Sequence, residues 1–191
     1  MNTFNLKLPP ILQLSDEQFY QLSQINRDVD FERSVTGELI IMSPTGGETG
    51  RRNAVINLEL GLWNRINNSG IVFDSSTGFK LPNGAVRSPD VAWIPKEKWL
   101  NLSKKQREGF IPICPDFVIE LLSSSDSLTS LQQKMQEYLD NGATLGWLVN
   151  AKTRQVEIYR RGQEKEILDK PNFLSGEAIL SGFNLETALI W

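Results

Sequence analysis

None of the 191 positions is a histidine. That absence removes Ser-His-Asp and Cys-His triads and every zinc or iron site built on imidazole. The single cysteine, Cys114, excludes an internal disulfide and a thiolate cage, and suits a reducing compartment. A metal held by this chain would sit among oxygen ligands, which favours Mg2+, Mn2+ or Ca2+. Long apolar runs are missing too: none approaches the ~20 residues a membrane-crossing helix needs. The opening segment, residues 1–19, has one lysine, two prolines and no apolar stretch of the secretory kind. The expectation is a cytoplasmic protein with no membrane partner. Positive charge is not in excess: 20 basic and 23 acidic residues leave a net charge of −3. That balance argues against gripping nucleic acid by bulk electrostatics. It still admits contact with phosphates through metal ions held by the chain's own carboxylates.

What is present reads as one globular domain, residues 1–191, with enough chain for a sizeable core and no internal repeat or linker. Ser15-Asp16-Glu17-Gln18 predicts a capped helix start. Residues 29–33 and 38–42 flank Thr36-Gly37 and predict a hairpin. A helix follows from about Glu48 to Asn67, closed by Asn68-Ser69-Gly70. Strands are expected at 71–73, 78–81 and 85–94, with Pro82-Asn83-Gly84 as a turn. A charged insert, irregular or helical, covers 96–108. The most apolar strand is 116–122, then a turn at 123–127 and a helix over 128–141 ending at Gly142. Strands at 145–150 and 155–160 complete the pattern. This order describes an α/β (α+β) fold, a mixed central β-sheet flanked by helices.

Charged residues inside apolar patterns are the candidates for chemistry. Glu120 lies in Phe117-Val118-Ile119-Glu120-Leu121-Leu122, too continuously apolar for a strand with one wet face. A carboxylate there is paired, hydrogen-bonded or metal-bound, or else sits at an exposed strand end. Asp90 follows Pro89, which cannot donate to a ladder and implies an edge or bulge just before the acid; an Asp satisfying turn amides fits equally. Lys134 borders the stripe Leu128, Leu131, Met135, Tyr138, Leu139. It either curls toward Glu120 or snorkels to water. Along the first long helix the stripe reads Val55, Leu58, Leu62, Ile66, which puts Glu48 on the core side of the first turn and Glu59 near it. The helix dipole alone would also favour Glu48 there. Lys80 is a phosphate contact or a solvated lysine. Together, two carboxylates on neighbouring strands and a lysine on the packing helix make a divalent-metal site beside a cation, a constellation suited to phosphodiester hydrolysis.

The segments Val86–Trp93, Pro115–Ser123 and Lys134–Tyr138 resemble the Uma-type restriction endonucleases, a family rich in cyanobacterial members within the PD-(D/E)xK nuclease superfamily. The resemblance extends through Gly37-Glu38-Leu39, Ser43-Pro44-Thr45 and Gly146-Trp147-Leu148-Val149, covering about 31–160. It implies a restriction-endonuclease-like αβββαβ core with an N-terminal helix and hairpin extension, and Mg2+- or Mn2+-dependent cleavage of DNA by a homodimer. Asp90 matches the Asp of the Pro-Asp motif and Glu120 the acid of the (D/E)xK strand, the two metal ligands. Leu122 stands where that motif has lysine, and Lys134 matches a lysine relocated to the next helix. Glu48 corresponds to the additional acid that some members carry on the first helix. Two other readings stay beside the nuclease. One is a catalytically weak or inactive DNA-binding or protein-interaction module on the same fold. The other is a Mg2+-dependent phosphohydrolase of small phosphate esters, against which stands the lack of a phosphate-binding Gly-x-x-x-x-Gly-Lys-Ser/Thr loop.

Overall fold

A computed structural model of the chain describes residues 3–124 and 126–191, so Ser125 of the expected turn at 123–127 lies outside the described residues. After strand β1 (Thr3–Leu6), Ser15 opens helix α1 (Asp16–Ile25) with a reciprocal capping box. Its hydroxyl accepts from the Gln18 N–H, and the Gln18 side chain accepts from the Ser15 N–H. The hairpin β2 (Asp30–Arg33) and β3 (Leu39–Met42) pairs antiparallel, and Gly37 in its turn takes φ 82°, which a side chain would resist. Helix α2 (Gly47–Asn67) ends on Asn68 in the left-handed region. Strands β4 (Gly70–Asp74), β5 (Phe79–Lys80), β6 (Val86–Arg87) and β7 (Val91–Pro95) follow. The charged insert forms two single-turn helices, α3 (Lys96–Leu100) and α4 (Lys104–Glu108). Next come β8 (Phe117–Leu121), α5 (Leu128–Asp140), β9 (Leu145–Asn150) and β10 (Gln155–Arg160). The chain closes with β11 (Glu166–Asp169), β12 (Phe173–Ser175) and β13 (Asn184–Glu186).

The central sheet has six strands in the order β11-β10-β9-β8-β7-β4. Strands β8 and β9 are parallel and α5 is the crossover between them; the other pairs are antiparallel. The sequence α2-β4-β7-β8-α5-β9 is thus an αβββαβ core. On one face Ile56 and Leu60 of α2 pack with Trp93, Trp147 and Phe183; on the other Met135 and Tyr138 of α5 pack on Val118 and Leu148. A second sheet, β1-β3-β2-β6-β5, carries the N-terminal hairpin. Among the described residues no helix is long and apolar enough to cross a membrane.

Two expectations need correction. The strand foreseen over 85–94 is broken at Ser88-Pro89-Asp90, and its halves join different sheets: β6 pairs β5 and β2, while β7 pairs β4 and β8. Pro89 has no N–H for a ladder, so the chain changes sheets there. The stripe Leu58, Leu62, Ile66 of α2 faces outward, and Ile56 and Leu60 are fully buried instead. Apolar residues stand on both sides of α2, so periodicity alone fits either face. Asparagines decide between them. Asn53 bonds Asp90, Asn57 bonds the Phe73 carbonyl, and Asn64 bonds both the Gly70 backbone and the Trp93 indole. These lie on the same side as Ile56 and Leu60, and buried amides must find partners.

Candidate metal and catalytic centre

Successive side chains of a strand point to opposite faces. In β8, Phe117, Ile119 and Leu121 join the cluster under α2, while Val118 joins the cluster under α5. Glu120 therefore faces α5. Lys134 and Tyr138, one helical turn apart, meet it there: the Lys134 ammonium lies 2.8 Å from Glu120 Oε1, and the Tyr138 hydroxyl donates to the same oxygen at 3.0 Å. Lys134 does not snorkel. Its Nζ is also 2.7 Å from Glu32 Oε1 on β2, and its side chain is 12% exposed. Glu32 further accepts from Arg87 at 3.0 Å and from the Ser88 N–H at 2.8 Å, and Arg87 reaches Glu137 of α5 at 2.6 Å. Asp90, at the seam between the sheets, accepts from Asn53 Nδ2 at 2.8 Å and from the Leu121 N–H at 2.7 Å.

The charges here are uneven. Lys134 and Arg87 both serve Glu32, which outweighs its desolvation and holds its carboxyl below the usual range. Glu120 has Lys134 alone, and burial together with neighbouring Asp90 and Glu32 pushes it up to about 8. Burial also raises Asp90, whose donors are neutral. Lys134, between two carboxylates, is driven further toward its cationic form. Four carboxylates (Glu32, Asp90, Glu120, Glu137) thus surround two cations (Arg87, Lys134). Fully ionised, they exceed the cations by two charges; with Glu120 protonated, as its raised value makes it near neutral pH, the excess is one.

Asp90, Glu120 and Lys134 line one open cleft of about 550 Å3, with Thr49 of α2 and Ser34 and Glu38 of the hairpin on its walls. Among the described residues no cluster of three or more acidic or thiol ligands occurs. Two carboxylates still fit Mg2+ or Mn2+. Mg2+ keeps several waters and commonly takes one or two carboxylates plus substrate phosphate oxygens. Binding such an ion at this pair would displace the proton that Glu120 holds near neutral pH.

A family model, Uma2, described as "Putative restriction endonuclease", matches residues 16–188. The chain belongs to the Uma2 family. A crystal structure of "a putative nuclease belonging to DUF820 from Anabaena variabilis ATCC 29413" is similar at a TM-score of 0.72. That match covers 84% of this chain and 89% of the other at 20% identity, so the fold is shared. A search of curated proteins finds no match.

This Uma2 chain brings together three of the four residues proposed from sequence. Asp90, Glu120 and Lys134 share the cleft, but Glu48 does not line it. Glu48 is 70% exposed at the side chain and pairs with Arg51 and Arg52. Its placement followed from the misassigned α2 stripe. Lys80 pairs with Asp16, which Arg33 also bonds, and so ties α1 to the second sheet. Glu59 is half-buried elsewhere on α2. Sequence reasoning missed Glu32, Arg87, Asn53 and Tyr138. Glu32 carried a faint signal: Asp-Phe-Glu-Arg forms a strand with three charged residues, an odd composition unless some are paired inside.

Proposed function

We propose that this Uma2 protein is a metal-dependent endonuclease that hydrolyses DNA phosphodiester bonds. It would act in the cytoplasm as a single domain, the N-terminal hairpin completing the site with Glu32. The observation that carries this reading is the pair of buried carboxylates, Asp90 and Glu120, in one cleft with a lysine locked between Glu120 and Glu32. Asp90 and Glu120 would hold Mg2+ or Mn2+. When bound, such an ion polarises a phosphoryl oxygen and acidifies its water. Lys134, kept protonated by two carboxylates, supplies positive charge and N–H donors beside the phosphate and accepts no proton. Glu32 positions that ammonium, and Arg87 fixes Glu32. Asn53 and the Leu121 N–H orient Asp90. Cutting both strands of a duplex asks for two such centres, which a homodimer would supply.

A second reading, a nuclease-fold binding module without turnover, draws on the acidity of the cleft. Arg87 and Lys134 are its only basic lining residues among those described. Purified protein incubated with supercoiled plasmid and with single-stranded DNA separates the two. Products with Mg2+ or Mn2+, and none in EDTA, support the nuclease. No product from either substrate with either metal, together with no binding of Mn2+, would favour the module.

A further inference from the structure

The acids of the metal centre stand at one edge of the central sheet, where β7 begins with Val91 and β8 ends with Leu121. Strand β9 runs parallel to β8, β10 returns antiparallel, and β11 runs antiparallel again. The turn between β9 and β10, residues 151–154, therefore comes to the same edge, and so does the residue after β11. Three cations stand there: Lys152, Arg154 and Lys170. All three are exposed, and none is ion-paired among the described residues.

Two of them are fixed on each other. The Lys170 N–H donates to the Arg154 carbonyl at 2.8 Å, and both residues take left-handed backbone, φ 45° and 57° respectively. Glycine or asparagine suits that conformation better than a long cationic side chain does. With Phe173 and Trp191 they line a hollow of about 360 Å3, in which Glu186 is the one acid among the described lining residues. The nearby Asp169 accepts from the Gln155 amide. A chain of contacts links this hollow to the cleft. Its wall at Thr187 and Ala188 leads to Leu189 and Ile190, whose carbonyls accept from Arg51 at 3.0 Å and Arg52 at 2.7 Å, and Thr49 of the same helix lines the cleft.

The surplus carboxylates of the cleft leave the reacting phosphate to a metal ion, so the grip on the rest of a polyanion falls to cations set back from it. From β8 to β11 the sheet steps three strands of about 4.8 Å, or about 14 Å. Phosphates of one DNA strand advance ~3.4 Å along the axis per nucleotide. We infer that Lys152, Arg154 and Lys170 bind the phosphate backbone of duplex DNA about four nucleotides from the bond that is cut. The inference deepens the nuclease reading and rests on it for that register; the contact itself needs neither metal nor turnover.

Fluorescence anisotropy of a labelled DNA duplex, titrated with the full chain in EDTA over a series of salt concentrations, tests it. The triple variant Lys152→Ala, Arg154→Asn, Lys170→Asn is expected to bind about tenfold or more weakly at low salt, with a salt slope smaller by about 2–3. Asparagine tolerates the left-handed backbone, so its thermal melting should match wild type. Lys104→Ala with Lys105→Ala, on α4 beside α1, removes two exposed cations away from this edge and should bind as wild type does. A wild type that does not bind, a triple variant that binds with unchanged slope, or an equal loss in the α4 variant would overturn the inference. Plasmid cleavage in Mn2+ on the same samples reports on the nuclease reading separately. A wild type that binds through these residues but cuts nothing would overturn that reading and the register, and leave the phosphate contact standing.

Discussion

Replacing Glu32 by glutamine removes one negative charge from a buried cluster and leaves Lys134 and Arg87 facing a neutral amide. The Glu32 side chain is 3% exposed and meets both cations within 3.0 Å. Breaking a buried pair on one side costs about 3–5 kcal/mol, a large share of the ~5–15 kcal/mol that holds a domain together. Glu120→Gln should behave differently although it touches the same lysine. Its carboxyl is pushed up to about 8, so near neutral pH it is largely protonated, and a glutamine of the same shape still accepts from Tyr138. We expect a change within about 1 kcal/mol at about pH 4, where the Glu120 carboxyl is protonated folded and largely so unfolded. The pH trends have opposite signs. Glu32 has a lowered folded pKa, so its stabilisation is present above the unfolded value of 4.5 and fades as pH falls below it. Glu120 has a raised one, so its contribution is full below 4.5 and is lost as pH climbs toward about 8. Urea unfolding of metal-free protein, followed by tryptophan fluorescence from about pH 4 to 9, measures both. The wild-type advantage over Glu32→Gln should shrink in acid. Relative to wild type, Glu120→Gln should gain stability as pH rises. A loss under about 1 kcal/mol for Glu32→Gln, or pH trends of the same sign, would refute this division of charge.

Lys134→Met should abolish cleavage and, with Glu32 left to Arg87 alone and Glu120 without a cation, lower stability by about 3–5 kcal/mol; Lys134→Arg, assayed the same way, should recover part of the stability and less of the activity. Glu48→Ala should leave cleavage unchanged and lower the unfolding free energy by no more than about 1 kcal/mol, because its pairs with Arg51 and Arg52 are surface pairs. Leu60→Ala, at a fully buried position under α2, should cost about 2–5 kcal/mol by the same unfolding assay.

Much of the fold was legible in the sequence because local signals and burial agree. The capping box at Ser15, the turns at Gly37 and Gly84 and the apolar run of β8 fall where their chemistry puts them. The face of α2 was not legible. Apolar residues lie on both its sides, and the choice is made by asparagines bonding β4, β7 and Asp90, contacts distant in sequence. The change of sheet at Pro89 was half legible: the proline announces a break but not where the next strand pairs. In the site, Asp90 and Glu120 stood out as acids within apolar strands. Glu32 and Arg87 did not, since charged residues in a short hairpin ordinarily face water. Only the packing of the second sheet against α5 turns them inward.

The central claim is that Asp90 and Glu120 hold the ion that powers phosphodiester cleavage. It is tested most directly by titrating Mn2+ calorimetrically into wild type, Asp90→Ala and Glu120→Ala, with plasmid cleavage run on the same samples. The account predicts Mn2+ binding and metal-dependent cleavage by the wild type, and loss of both in each variant whose melting shows it folded. Cleavage that survives in a folded variant, or tight Mn2+ binding that neither substitution weakens, would contradict it.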